Sequence, residues 1–164
     1  MKSKILVFVI SILVLTALPA DALHTPGVSN NSGVATLMLT NDNNVAIGGE
    51  FGVTPNLAIA ANFNAPISRI GVKYQIDSNL ALLGGVSDEN NSPYLGINGS
   101  RGVNRDLTAL YELNLLMGSS LVLPYELGAR FNLNHNLDLR AGIFGMIEGN
   151  IEFPNLKVGI GYRF

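Results

Sequence analysis

The chain lacks cysteine altogether, which excludes a disulfide framework and any thiolate metal site. Charge is also scarce: Asp, Glu, Lys and Arg make up 13% of its 164 residues, and the formal net charge of −2 is far from the basic excess typical of nucleic-acid binding. After residue 15 there is no second long apolar run, although mean hydropathy is +0.32. Because a helical span needs about 20 consecutive apolar residues, the sequence argues against a helical membrane protein, and its low charge argues against an ordinary soluble enzyme.

The first 22 residues have the features of a secretory signal peptide. Lys2 and Lys4 form a positive region, residues 5–15 an apolar core, and Ala20-Asp21-Ala22 a small-residue cleavage signal. An uncleaved membrane anchor is the alternative, but the apolar core is short for a span. Cleavage would leave eight cations and eleven anions, a charge of −3. Residues 23–32, which come next, are rich in Gly, Pro, Ser and Asn, a composition that predicts a flexible lead-in.

Residues 33–164 form a series of segments in which apolar and small or polar residues alternate. This period of two is typical of β-strands, whose side chains point to opposite faces in turn. The clearest segments are 44–53, 57–63, 67–77, 107–115, 121–133, 137–146 and 156–164. Residues 33–40 and 80–100 alternate less regularly, in part because Leu83 interrupts the pattern. An apolar average delivered by alternation is what a transmembrane β-barrel requires, since its lipid and lumen faces interleave along each strand.

The connections predict how the strands are joined. Four similar strings follow tight polar turns and each opens a strand: they begin at Asn56, Asn79, Asp106 and Asn136. Their spacing suits one hairpin per repeat, as in an up-and-down antiparallel meander. The total is about ten strands, with eight as the alternative. Pro66, Pro93, Pro124 and Pro154 are predicted in connections or at the very start of strands, where proline removes no central ladder bond.

The last nine residues carry the most specific pattern. One face holds only apolar side chains: Leu156, Val158, Ile160, Tyr162 and Phe164. The other face is small or cationic: Lys157, Gly159, Gly161 and Arg163. This stretch resembles the closing strand of bacterial outer-membrane β-barrels, which ends in Phe with an aromatic residue two positions earlier. In size and pattern the chain is most similar to the OmpA/OmpX-type, porin-like superfamily.

That resemblance implies a location and a set of partners. It implies a barrel of residues 33–164 in the bacterial outer membrane, in contact with lipid and lipopolysaccharide, and inserted by the barrel-assembly machinery. The residues that would form the assembly signal are Val158, Ile160, Tyr162 and Phe164. It also implies that the turns preceding the four repeated strings are periplasmic and the other connections external. We expect a monomer that binds no nucleic acid.

The alternation alone does not tell the inside of a barrel from its outside. Aromatic residues on the apolar face would form interfacial girdles in a membrane, or a core in a soluble barrel or sandwich. These are Phe51, Phe63, Tyr74, Tyr111, Tyr125, Phe131, Tyr162 and Phe164. The signal peptide and the terminal Phe favour the membrane arrangement, with the apolar face outward.

In that arrangement, the charged residues of the strands face the lumen. They are Glu50, Arg69, Lys73, Glu112, Glu126, Arg130, Asp138, Arg140, Lys157 and Arg163. Buried charges must be paired or hydrated, so their mixed signs predict a salt-bridged interior. This leaves two interpretations: a packed polar filling, which small barrels favour because they have little room beyond their own side chains, or a narrow hydrated conduit.

Catalytic and metal sites are weakly supported. Glu112 and Glu126 could in principle act as an acid and a base, but ion pairing accounts for them more simply. The two histidines fall in the lead-in (His24) and in a predicted periplasmic turn (His135), and a hydrolase would need a nucleophile beside one of them. The external carboxylates at Asp88-Glu89, Glu148 and Glu152 lack the spacing of an oxygen-ligand loop. No cofactor and no metal are expected.

The sequence therefore predicts a non-catalytic outer-membrane β-barrel with a structural or interaction role. A narrow porin that passes small solutes or ions is the alternative, and a lipid A-modifying enzyme is a third possibility. The short external connections argue against adhesion through long loops.

Overall fold

A computed structural model of the chain describes residues 25–42, 44–63, 67–148, 150–151 (backbone only) and 154–164. The predicted signal peptide lies outside these residues. The strands are β1 (Gly33–Thr40), β2 (Val45–Gly52), β3 (Leu57–Phe63), β4 (Arg69–Asp77), β5 (Leu80–Ser87), β6 (Pro93–Gly102), β7 (Leu107–Met117), β8 (Leu121–Asn132), β9 (Leu137–Glu148), β10 (Asn150–Ile151) and β11 (Asn155–Arg163). β10 is a two-residue extension paired with the end of β9.

Ten strands form a closed antiparallel barrel. Apart from the short β10, each strand pairs with the next one along the chain, β9 with β11, and β1 also pairs with β11, with Leu37 opposite Ile160, so that the sheet closes on itself. The structure confirms the prediction of about ten up-and-down strands. The less regular segments are separate strands: β1 spans residues 33–40, and residues 80–100 fall in the hairpin of β5 and β6.

The two ends of the barrel differ in their connections. One end, here called the turn end, carries the connections 53–56, 78–79, 103–106 and 133–136, together with Gly33 and Phe164. The opposite end, the loop end, carries the remaining connections. At the turn end, the repeated strings follow turns closed by side-chain acceptors: Asn104 Oδ1 and Asn134 Oδ1 each accept from the backbone N–H three residues later, at 2.9 Å. These polar turns fix where each new strand begins.

The outer face of the wall is apolar on every side. Leu37, Ile59, Val72, Leu95 and Val158 are about half exposed, as are many similar residues on the other strands. Six of the aromatic residues predicted for the girdles are also exposed: Phe51, Phe63, Tyr74, Phe131, Tyr162 and Phe164. Within the described parts of the chain, no helix is long and apolar enough to cross a membrane.

One proline prediction was wrong. Pro124 is the fourth residue of β8, paired with Met146 of β9 and fully buried. The strand tolerates it because the β7–β8 ladder is interrupted there: the pairs Leu113–Tyr125 and Leu116–Val122 lack the two partners between them. Proline has no N–H to donate, so it is confined to positions without a ladder bond. Pro93 and Pro154 lie where predicted, and Pro66 is outside the described residues.

Candidate functional site: the filled lumen

All ten charged residues predicted for the lumen lie on the inner face of the wall. Alternation places them there, because each shares its face with the small or polar residues of its strand. Buried among them are Glu50, Arg69, Lys73, Glu112, Glu126, Asp138, Arg140 and Lys157. Six cations face four carboxylates, so the lumen holds an excess of positive charge.

A four-residue network crosses the lumen from β4 to β11. Glu112 and Glu126 are directly opposite each other on β7 and β8, a placement that would repel without cations between them. Arg69 provides one, with nitrogens 2.8 Å from Glu112 Oε1 and 3.4 Å from Glu126 Oε1. Lys157 Nζ approaches the other oxygen of Glu126 at 2.5 Å. Asn114 adds a donor, with its Nδ2 2.8 Å from Glu112 Oε1. Each of the two carboxylates is therefore paired with a cation: Glu112 with Arg69, and Glu126 with Arg69 and Lys157.

A second pair joins β2 to β4. The ammonium of Lys73, which has no exposed surface, contacts the Glu50 carboxylate directly. The same ammonium donates to the backbone carbonyl of Thr25 at 2.5 Å. Lys73 is therefore neutralised by one acid and further solvated by a main-chain oxygen from the lead-in, which offsets the cost of burying it.

A third group lies toward the turn end. Asp138 is fully buried and receives Arg140 Nε at 2.5 Å and Arg163 Nη2 at 2.6 Å. Arg163 also donates to Asn132 Oδ1 at 2.7 Å and to the backbone oxygen of His135 at 3.2 Å. Arg130 donates to the Thr108 hydroxyl at 3.3 Å. Ion pairs and hydrogen bonds thus connect β7, β8, β9 and β11 across the lumen face.

An apolar cluster fills the lumen toward the loop end, and the sequence pattern did not predict it. Its members are Ile67, Leu83, Tyr94, Leu116, Val122 and Met146. The Arg69 guanidinium lies 5.7 Å from the centre of the Tyr94 ring, so the cluster is continuous with the charged network. A signal was present in the sequence: Leu83 interrupts the alternation because it is an apolar residue on the inner face.

The lead-in enters the lumen at the turn end. Of residues 23–32, the structure describes 25–32, and Pro26 is fully buried. The N–H of Val28 donates to Gln75 Oε1 at 2.7 Å, and Asn31 and Ser32 pair with the backbone of Gly52. The flexibility expected for this segment stays a prediction, but its path follows the inside of the wall. Composition alone could not place it there, because its contacts are made mainly through the backbone.

A small cavity lies in the charged middle of the lumen. It is lined in part by Glu50, Arg69, Lys73 and Glu112 and has room for about one water. Within the described residues, the lumen is filled by an apolar cluster, a charged middle and the lead-in.

The terminal strand closes the barrel beside β1. Val158, Ile160, Tyr162 and Phe164 are exposed on the outer face, as the pattern predicts. Phe164 exchanges two backbone hydrogen bonds with Gly33, of 2.9 and 3.0 Å. Its ring covers Gly33 so closely that a Cβ there would meet ring atoms at 2.5 and 2.7 Å. The terminal residue therefore completes the ladder, and its role as an assembly signal stays a prediction.

The described residues offer few groups for catalysis. His135 lies in the exposed β8–β9 turn, three residues before the buried Asp138, which is ion-paired with Arg140 and Arg163. Among the residues that the structure describes, no three His, Cys, Asp or Glu side chains could jointly hold a metal ion. Of the predicted external acids, Asp88, Glu89 and Glu148 are exposed, with Glu148 accepting from the Ser120 hydroxyl at 2.6 Å, and Glu152 is outside the described residues.

Comparisons with known proteins find similarity only among solved structures. No model of a known family matches the chain, and no curated protein matches it significantly. A chain from a de novo design of transmembrane β-barrels is 16% identical, with a TM-score of 0.44 over 84% of this chain and 99% of that one. KdgM porin is 11% identical, with a TM-score of 0.48 over 81% and 99%. Neisserial surface protein A is 15% identical, with a TM-score of 0.37 over 81% and 94%. Similarity at this level carries no conclusion about function.

Proposed function

We propose that the chain is an integral outer-membrane β-barrel with a structural or interaction role, without catalysis and without an open pore. One observation supports the absence of a pore: among the described residues, an apolar cluster, buried ion pairs and the lead-in occupy the lumen, and the cavity beside Glu50 and Glu112 has room for about one water. A small barrel can be filled in this way by its own side chains. In that case the structural or interaction role depends on the barrel wall and its lipid-facing surface.

The apolar exterior supports a membrane location. A soluble protein rarely exposes a continuous apolar surface larger than a few hundred Å², whereas here apolar side chains surround the wall and charges lie inside. A transmembrane barrel has this distribution. With the predicted signal peptide and terminal Phe, it supports the outer membrane of a bacterium. Barrels of the OmpA/OmpX type have about eight strands, so with ten strands the proposal extends only to the class of small barrels.

The proposed partners are inferred from the same surface. Lipid chains would cover the outer face, lipopolysaccharide would contact the loop end, and the barrel-assembly machinery would recognise the terminal strand. The closed ladder supports a monomer, because it leaves no unpaired edge strand among the ten strands of the wall.

Planar-bilayer conductance tests the closed lumen against the narrow porin. The purified, folded full-length chain should give no reproducible unitary steps, because ion pairs and apolar side chains fill the path. Unitary steps that vanish in the Arg130→Glu variant would contradict the proposal and establish a conduit through the lumen. An open designed barrel reconstituted in the same bilayers would show that the assay detects a pore.

Lipid A mass spectrometry tests whether the chain is a lipid A-modifying enzyme. Expression of the chain should leave the lipid A mass profile unchanged, in the wild type and in the His135→Ala variant alike. A mass change that depends on His135 would show that this exposed turn is part of an active site.

A further inference from the structure

We propose that residues 25–32 are an intramolecular ligand: they occupy a peptide seat inside the turn end of the barrel and shield it from solvent. Residues 25–32 are called the plug. The inner-face residues that contact them, Gly52, Lys73 and Gln75, form the seat together with Ala58, the cross-strand partner of Gly52 and Lys73. The inference is separate from the absence of a pore, since it concerns one end of the lumen only.

The plug runs from the rim inward. At the rim, Gly52 N donates to Ser32 O at 2.9 Å, and Asn31 N donates to Gly52 O at 3.0 Å. Further in, Val28 N donates to Gln75 Oε1 at 2.7 Å. Deepest, the carbonyl of Thr25 accepts from Lys73 Nζ. These hydrogen bonds are spread along the whole plug. On the plug's side they are made by main-chain atoms.

The seat is shaped for an extended and uncharged peptide. Gly52 is required, because a Cβ on it would clash with the carbonyl oxygen of Ser29. Pro26 is fully buried. The plug carries no charged side chain, which matches a seat where Lys73 is already paired with Glu50. Gln75 and Lys73 supply the acceptor and the donor that a peptide main chain needs.

Removal of the plug should open this end without opening a pore. Ala58 is the cross-strand partner of both Gly52 and Lys73 and has no exposed surface, so it lies at the seat. Ala46 is equally buried but packs with Met38 and Leu110 in a separate cluster on the inner face. Solvent should reach Ala58, while Ala46 and the apolar cluster at the loop end remain covered.

The absence of cysteine makes thiol labelling a direct test. Single cysteines at Ala58 or at Ala46 are introduced into the folded chain, and modification by a water-soluble maleimide is followed by mass. The Gly52→Ala variant displaces the plug while keeping the full chain, and deletion of residues 25–32 removes it. Gly102→Ala is the matched control, because a Cβ at Gly102 meets nothing within 4 Å.

We expect Ala58→Cys to react at least about tenfold faster when the plug is displaced or deleted, because labelling then no longer requires a local opening. Ala46→Cys and the Gly102→Ala background should stay slow. A synthetic peptide of residues 25–32, added to the deletion variant, should restore slow labelling, and a scrambled peptide should not. Equal rates at Ala58→Cys with and without the plug would overturn the proposal, and so would failure of the native peptide to protect. Conductance of the full-length chain would contradict the closed lumen but would not change the labelling result. The closed lumen and the plug can therefore be disproved independently.

Discussion

Glu50 and Lys73 show how single residues hold charge inside the barrel. Both side chains are buried, and the ammonium contacts the carboxylate and the Thr25 carbonyl. Removing one partner of a buried ion pair costs far more than removing both, because the remaining charge keeps its desolvation penalty. Loss of one residue of a buried ion pair in the lumen should therefore destabilise the barrel more than loss of both.

A double-mutant cycle tests this. Lys73→Met should lower the free energy of unfolding by about 3–5 kcal/mol, and the double variant Glu50→Gln/Lys73→Met should recover most of that loss. The measurement is urea unfolding in lipid vesicles, followed by the fraction of protein that keeps its folded gel mobility. A single-variant loss below about 1 kcal/mol, the range of an exposed salt bridge, would contradict a buried pair.

Asp42, in the exposed β1–β2 connection, allows a pH prediction. Hydrogen bonds from the Thr40 hydroxyl and then the Asn44 amide hold the pKa of its carboxyl below the ordinary 3.8. A pKa that is lower in the folded state stabilises the protein above the unfolded value, and this stabilisation is lost as pH falls through the folded value. An NMR titration should place the midpoint below 3.8, and Thr40→Val should raise it toward 3.8. Equal midpoints in the two proteins would rule out the hydrogen bond as the cause.

At the scale of the strand, the seam between β1 and β11 depends on the last residue. Deleting Phe164 removes two backbone hydrogen bonds to Gly33, whereas Phe164→Ala keeps them and removes only the ring. In refolding from urea into detergent, we expect the deletion to reduce the folded yield more than Phe164→Ala does. If the assembly machinery also recognises the ring, the deletion and Phe164→Ala should both lower the amount of folded protein in the outer membrane of cells. Equal yields for all three proteins in detergent would show that the seam does not need its last residue.

The strands were predictable because the outer face of each strand is apolar, so that apolar residues recur at every second position. Alternation located β2, β3, β4 and β7 to within one or two residues, and the polar strings at the turn end marked where strands begin. Leu83 could not be assigned to a face from its neighbours, because the inner face changes from charged to apolar toward the loop end. The position of the plug was also beyond prediction, since backbone groups make most of its hydrogen bonds and any sequence has those.

The outward orientation of the apolar face is a property of the whole molecule, and a charge on that face tests it. Leu37 lies mid-strand on the outer face, between Ile47 and Ile160. Leu37→Arg should cost about 2–4 kcal/mol of unfolding free energy in vesicles if the residue faces the bilayer centre. The control is Val103→Arg, at an exposed position in a turn-end connection, which should cost about 0–1 kcal/mol. Equal costs for the two variants would contradict a lipid-facing wall.

Heat modifiability after fractionation tests the central claim, a closed barrel with its apolar face in the outer membrane, most directly. The chain is expressed with its own N-terminus in a Gram-negative host, and membrane and periplasmic fractions are run on a detergent gel with and without boiling. We predict a band in the outer-membrane fraction that migrates faster when unboiled, because a closed ladder without free edges resists the detergent. A heat-insensitive band in the soluble periplasm would contradict the account and would mean that the apolar face is covered by something other than lipid.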